Sequence, residues 1–161
     1  MKISAVGHAS LFIKDDLNNP LLLTDPWLLG SAYWRSWWLQ HYPSKNEFIE
    51  FQNVKYCYVT HEHPDHFHTP SIKKLGKKPM YLSPNLPEEN ITKYLNELGF
   101  SSKVLQSKKW HKISNTVSIL SIPLFNDDSC LLIDTPNAFI INLNDSKPSK
   151  FQLRQIDNYL K

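Results

Sequence analysis

A chain of 161 residues with 41% hydrophobic and 12% aromatic side chains suits one folded domain and excludes a disordered tail. Its formal net charge of +3 is weak, and its lysines are scattered, the densest groups being Lys73-Lys74, Lys77-Lys78 and Lys108-Lys109, which argues against a nucleic-acid surface. Cys57 and Cys130 form no C-x-x-C pair, Met1 to His8 lacks the apolar core of a leader, and no apolar run nears the ~18 residues that span a bilayer. A cytoplasmic protein without transmembrane segment, thiolate zinc or iron–sulfur cluster is therefore expected.

Along the chain, Ser4–Val6 and Ser10–Lys14 predict short strands around Gly7-His8, and Leu21 to Asp25 predicts a buried strand. Residues 26–43 are irregular and aromatic, with four of the five tryptophans, Trp27, Trp34, Trp37 and Trp38. Ser44-Lys45-Asn46-Glu47 is a capping box that opens a helix to about Phe51, and Tyr56–Thr60 is the next strand. Thr69 as N-cap, Pro70 at the first helical position and Gly76 past the end outline a second helix. Pro79–Ser83 predicts a strand, and Pro87–Leu98 an amphipathic helix with Ile91, Tyr94, Leu95 and Leu98 on one face. Val104–Gln106, Trp110–Ile113, Val117–Leu124, Ser129–Asp134 and Ala138–Asn144 then read as strands, the last two joined through Thr135-Pro136-Asn137, and Ser149 caps a helix from Lys150 to Leu160. The class is α+β, with layered sheet and helices in a single domain, 1–161.

The segment with chemistry in it is His61-Glu62-His63-Pro64-Asp65-His66-Phe67-His68, which follows the Tyr56–Thr60 strand. Three imidazoles and a carboxylate spaced H-x-H-x-D-H mix borderline nitrogen with hard oxygen, a donor set that zinc, iron or manganese accepts. In extended backbone His61, His63 and Asp65 project one way and His66 the other, so one loop can serve two metals. A zincin helix is excluded, because Asp65 stands where its second histidine would be and Pro64 disfavours helix before it. His68 lies just past these residues, as a base behind them, a substrate contact or a surface group at a helix start. Trp34, Arg35, Trp37 and Trp38 could stack on a sugar or base and pair with a phosphate, or instead close a small core, cover a sheet edge or meet a further part of the protein.

Thr60-His61-x-His63-x-Asp65-His66, preceded by Leu23-Thr24-Asp25-Pro26-Trp27 and Gly7-His8-Ala9-Ser10, resembles the metallo-β-lactamase superfamily. With Asp25 to Tyr33, Trp37-Trp38-Leu39, Ser71 to Leu75 and Asn142-Leu143-Asn144-Asp145, the chain looks most like the metallo-β-lactamase-like domain of the CMP-N-acetylneuraminate hydroxylases and their bacterial relatives. The resemblance implies an αββα sandwich, of which this is the N-terminal part, incomplete at its C-terminus. It implies two divalent ions, zinc or iron: His61 and His63 on the first, Asp65 and His66 on the second, and Asp145, preferred over Asp134, bridging both. Where many members place a third histidine the chain has Ile122 to Asp128, so Asn126 or Asp127 would ligate through oxygen, unless Asp127-Asp128 is simply a solvated loop.

The function expected is that of a metal-dependent hydrolase, with a metal-held hydroxide as nucleophile, Asp65 and His68 as catalytic candidates, and a small nucleotide-sugar or phosphoester-like substrate implied by the resemblance. The alternatives are a component of a hydroxylase-like iron monooxygenase working with separate Rieske and reductase proteins, and a non-catalytic metal-binding or interaction module. A second chain completing the fold is a further partner to expect.

Overall fold

The computed structural model describes residues 1–124 and 127–160. Strand β1 (Lys2–Val6) pairs antiparallel with β2 (Ser10–Lys14), and β2 pairs antiparallel with β3 (Pro20–Thr24). Gly7 turns the first hairpin at φ +63°, and a side chain there would meet the Trp27 carbonyl and Leu39 at 3.4 Å, so the turn is pressed against the chain behind it. From β3 onward the sheet is parallel: β6 (Tyr56–Tyr58), β7 (Met80–Ser83) and β8 (Ser102–Val104) follow in order, each reached through a helical crossover, giving β1-β2-β3-β6-β7-β8. The crossovers are α1 (Lys45–Phe51), α2 (Thr69–Leu75) and α3 (Asn90–Glu97). Within the aromatic stretch, β4 (Ser31–Ala32) and β5 (Trp37–Trp38) make a two-residue ribbon.

The second sheet is an antiparallel meander of β9 (Trp110–Lys112), β10 (Ser118–Pro123), β11 (Ser129–Asp134) and β12 (Phe139–Asn142), in the order β12-β11-β10-β9. Alternation along the strands assigns each face. Ile13, Leu22, Tyr58 and Leu82 of the first sheet meet Ile119, Leu131 and Ile133 of the second in one buried cluster. The opposite face of the first sheet, Phe12, Leu23, Cys57 and Tyr81, packs on Phe51, Ile72, Leu75, Ile91 and Leu95 from α1, α2 and α3. Leu120, Ile122, Cys130 and Leu132 turn outward from the second sheet onto Ile156 of α4 (Lys150–Asp157). Helices, sheet, sheet, helix is the αββα sandwich expected of the sequence.

Polar bonds tie the two sheets together at one end. Tyr58 is fully buried, and its hydroxyl lies 2.8 and 2.9 Å from those of Ser121 and Ser129 across the interface. Ser129 in turn donates to the Thr60 carbonyl at 3.0 Å, so the second sheet grips the strand that delivers the histidine loop.

Capping accounts for the helix boundaries and for two departures from expectation. Ser44 and Ser149 make the predicted boxes, with Glu47 and Gln152 returning the bond. The cap of α2 is His68, one residue before Thr69: its imidazole accepts the Ser71 N–H, a role the favoured Thr69 masks in sequence. Helix α3 starts at Asn90 rather than Pro87, because Glu89 sits at φ 51° in the left-handed region and interrupts the pattern. Among the described residues no helix is long and apolar enough to cross a membrane.

Candidate metal centre

The polar residues converge where the parallel strands end. Asp25 follows β3, the His61–His68 loop follows β6, Asp128 closes the β10–β11 connection, Asp145 lies just past β12, and Gly7-His8 is the β1–β2 turn. Open α/β sheets place ligand sites at the carboxyl ends of their parallel strands, because loops there are freed from the ladder while their anchors stay rigid.

One group is His61, His63 and Asp145, whose donor atoms all lie within 4.8 Å of one another. His61 Nε2 and His63 Nδ1 are 2.7 Å apart. The other ring nitrogen of His61 is already engaged, 3.1 Å from the Thr60 hydroxyl and 3.4 Å from Asp128 Oδ1. A carboxylate behind an imidazole fixes its tautomer and leaves Nε2 with a free lone pair. Burial, then repulsion from His66 and His63, pushes His61 down to about 4, so it is a neutral donor at pH 7. Burial likewise raises Asp128 to about 6.

The second group is His8, Asp65 and His66, again with donors within 4.8 Å. Asp65 is buried; the Tyr33 hydroxyl donates to its Oδ1 at 2.8 Å, while its Oδ2 faces His8 Nε2 at 3.1 Å and His66 Nε2 at 3.4 Å. His66 Nε2 also lies 3.5 Å from Asp145 Oδ2, which places Asp145 between the two groups. Behind His66, Asp25 Oδ2 stands 3.4 Å from Nδ1, and the other Asp25 oxygen accepts from the Thr60 N–H and hydroxyl at 2.8 and 2.9 Å. Burial alone would lower His66, but Asp25 and Asp65 outweigh it and raise the imidazole to about 10. Burial works against the ionisation of Asp65, yet the His66 imidazole 3.4 Å away and the hydrogen bond from Tyr33 hold it well below the ordinary carboxylate range.

Whether this donor set fits a divalent ion can be judged from its buried polar atoms. His66 Nε2, His66 Nδ1 and Asp25 Oδ2 are fully enclosed with no hydrogen-bond partner among the described residues, although an unsatisfied buried group costs about 1–3 kcal/mol. Tetrahedral ligation with bonds of about 2.0–2.2 Å sets donors about 3.3–3.6 Å apart. The 3.4 and 3.5 Å separations around His66 Nε2 match that spacing. The residues fit a cation at His66 Nε2: positive charge between Asp65 and Asp145 would take the place of the proton that these carboxylates otherwise hold on that nitrogen, while Nδ1 stays paired with Asp25 behind the ring.

The remaining sequence candidates fall elsewhere. His68 is buried, with Nδ1 on Ser71 and Nε2 3.2 Å from the Ser31 carbonyl, so its ring holds the start of α2 rather than facing the two groups. Asn126 lies outside the described residues. Asp127 is exposed at φ 56° and lines a cleft beside His61 and His63, whereas Asp128 is buried, so the pair is not the solvated loop that adjacent charges suggest. Asp134 is exposed at the far end of β11. In the aromatic segment Trp27, Ala32 and Leu39 form a small core, but Trp34 is 96% exposed, and Arg35, Trp37 and Trp38 are also exposed. Tyr33, Trp34 and Arg35 run consecutively at φ 48°, 52° and 69°, a left-handed turn that sends the Tyr33 hydroxyl inward to Asp65 and the Trp34 ring to solvent. Such backbone costs about 1–2 kcal/mol per residue.

Four residues of the site were not singled out from sequence. His8, Asp25 and Tyr33 stood in segments that carry the family resemblance but were given no role there, and Asp128 was read as half of an acidic pair. The signal for Asp25 was available: a carboxylate closing a buried, leucine-rich strand needs a partner.

Three clefts flank the loop. One of about 320 Å³ is lined by His61, His63, Leu86, Pro87 and Asn90, and one of about 240 Å³ by His61, His63, Asp128, Asp145, Ser146 and Lys147. The largest, about 440 Å³, lies beside Tyr33, Trp34 and Phe67, and none of the candidate ligands lines it. The smaller clefts therefore open onto His61, His63 and Asp145, the first group.

A sandwich of this layering, with histidine- and aspartate-bearing loops on one sheet edge, defines the metallo-β-lactamase fold. The chain belongs to that superfamily: the family described as the beta-lactamase superfamily domain matches residues 2–142. It is 26% identical, over 90% of its length, to the cytidine monophosphate-N-acetylneuraminic acid hydroxylase of Xenopus laevis, and covers 26% of that protein. It is 27% identical, over 98% of its length, to a Mycolicibacterium smegmatis protein named as a Rieske 2Fe-2S iron-sulfur protein, and covers 32% of it. The chain thus spans about a quarter to a third of these curated relatives. Among solved structures, the isothiocyanate hydrolase from Delia radicum gut bacteria superposes with a TM-score of 0.73 at 15% identity, over 99% of this chain and 69% of that one, a likeness of fold. The family and the hydroxylase relatives agree with the resemblance read from sequence.

Proposed function

We propose that this chain is a metal-dependent hydrolase that holds two divalent ions, zinc or iron, with His61, His63 and Asp145 at one position and Asp65, His66 and Asp145 at the other. The observation that carries the reading is the position of Asp145, a member of the first group and 3.5 Å from His66 Nε2 of the second, a buried nitrogen that makes no hydrogen bond among the described residues. Cations held there would lower the pKa of water toward ~7 and polarise the oxygen of an ester, amide or phosphoryl group.

The protein's own part is orientation. Asp128 and Thr60 turn His61, Asp25 turns His66, and Tyr33 holds Asp65, so the donors are set before anything binds. Lys147, in the cleft beside Asp145, supplies positive charge for a phosphate or carboxylate of the substrate, and the exposed Trp37 and Trp38 offer rings for a base or sugar. A nucleotide-sugar or phosphoester-like small molecule suits that combination, and His68 acts through the packing of α2 rather than on the substrate.

Metal analysis of the full chain purified without chelator, paired with assays on phosphodiester and ester substrates, tests the reading. Two divalent ions per chain, lost with activity in His63→Ala, are expected; a chain with no bound ion would overturn it. The sequence likeness to the hydroxylases favours a second reading, in which the chain is the metal-binding component of an iron oxygenase. Iron-specific loading and oxygen consumption that requires an added reductant would support that reading, and full hydrolytic activity with zinc would reject it.

A further inference from the structure

We propose that His8, on the β1–β2 turn, is a direct ligand of the second cation, completing with Asp65, His66 and Asp145 a position to which the histidine loop contributes only two groups. The inference rests on the two-cation reading above and goes beyond it, since neither the loop motif nor its spacing points to residue 8.

Three observations carry it. His8 Nε2 lies 3.1 Å from Asp65 Oδ2, the oxygen that His66 Nε2 also approaches at 3.4 Å, so imidazoles from two separate segments converge on one point. The 3.4 Å separation falls in the donor spacing of about 3.3–3.6 Å that tetrahedral ligation imposes, and the 3.1 Å one, a hydrogen bond as it stands, needs to open only slightly to reach it. The ring is also held. It stands edge-on to Trp27 at 5.5 Å and to Trp37 and His66 at 6.1 Å, and the Gly7 turn carrying it runs beside the Trp27 carbonyl and Leu39. Finally, Asp65 does not need His8 for its own solvation, because Tyr33 already donates to its other oxygen. A hydrogen bond from a partly exposed imidazole to Asp65 does not by itself require the ring to be flanked on two sides, whereas a ligand's position must be set in advance. The His8 side chain is 40% exposed, so it forms the solvent-facing wall of the second position, and Trp37 leans on that wall.

The test is a Co²⁺ titration of the chelator-stripped full chain, followed by calorimetry and by the visible d–d bands, for wild type, His8→Ala and His8→Gln. Wild type takes up two equivalents. Both variants should leave the affinity of the first equivalent unchanged, which also shows that they are folded. They should weaken the second by more than about 100-fold, beyond the 10–100-fold that follows loss of a group merely bracing a ligand. The spectrum of the second equivalent should change with them. Glutamine keeps a donor for Asp65 but is a poor ligand for this ion. A His8→Gln protein that binds the second equivalent within about tenfold of wild type, with an unaltered spectrum, would reduce His8 to a brace for Asp65 and overturn the proposal. Equal binding of both equivalents by His8→Ala would overturn it as well. A wild-type chain that takes up no ion would instead bring down the two-cation reading itself.

Discussion

The histidine loop and the aromatic segment are both irregular and both dense in rings, yet the protein treats them oppositely. Between Thr60 and His68 every polar side chain except Glu62 and His63 is buried, and the buried ones are met from behind: His61 by Asp128, His66 by Asp25, Asp65 by Tyr33 and His68 by Ser71. Between Tyr33 and Trp38 the rings stand largely in solvent, on a backbone bent left-handed for three residues, and only Tyr33 reaches inward. The difference is one of physical origin. Charge buried at a sheet edge has to be neutralised by specific partners, so the loop's geometry is over-determined. Exposed indoles are under no such requirement, and strain retained beside a free surface is what a contact segment looks like.

That contrast can be broken at graded points. Asp25→Ala should strike hardest: it strips two bonds from Thr60 and leaves His66 with an unpaired flank, at a cost of about 3–5 kcal/mol, to be read from chemical denaturation. An Asp25→Ala chain as stable as wild type would show that the edge is not electrostatically organised. Asp145→Ala comes next. Its side chain is half exposed, so the melting temperature should hold while hydrolysis falls at least about 100-fold, roughly the 2.7 kcal/mol expected when a charge-stabilising centre is lost. Tyr33→Phe removes only the hydroxyl on Asp65 and should weaken metal binding about tenfold with folding intact, measured by competition with a chelating dye. His68→Ala, which uncaps α2, should cost about 1–2 kcal/mol of stability without changing metal content; a change in metal content would return His68 to the site. Trp34→Ala should shift stability by less than about 0.5 kcal/mol and appear only as a raised KM, because its ring is almost wholly in water.

Much of this was legible in the residues, for identifiable reasons. Strand alternation and capping boxes are local signals, and β2, β11 and α1 fall where period and caps place them; α4 starts at its cap but ends at Asp157 rather than Leu160, and β3 lies one residue earlier than expected. The H-x-H-x-D-H loop was visible because its ligand types sit next to one another. What stayed hidden was non-local. His8 meets Asp65 across 57 positions, and Asp128 looked like a solvated acid until the second sheet was seen to bury it against His61. The cap of α2 was missed by one residue, because an imidazole can do what the neighbouring Thr69 is usually chosen to do.

The central claim is that two cations share Asp145 at the edge of the sandwich, and its most direct measurement is the metal content of the full chain after reloading and exhaustive dialysis. Two divalent ions per wild-type chain, falling to one or none in Asp145→Ala and in His63→Ala, is the predicted result. A wild-type chain that retains no ion, or variants that retain as many as wild type, would contradict the account.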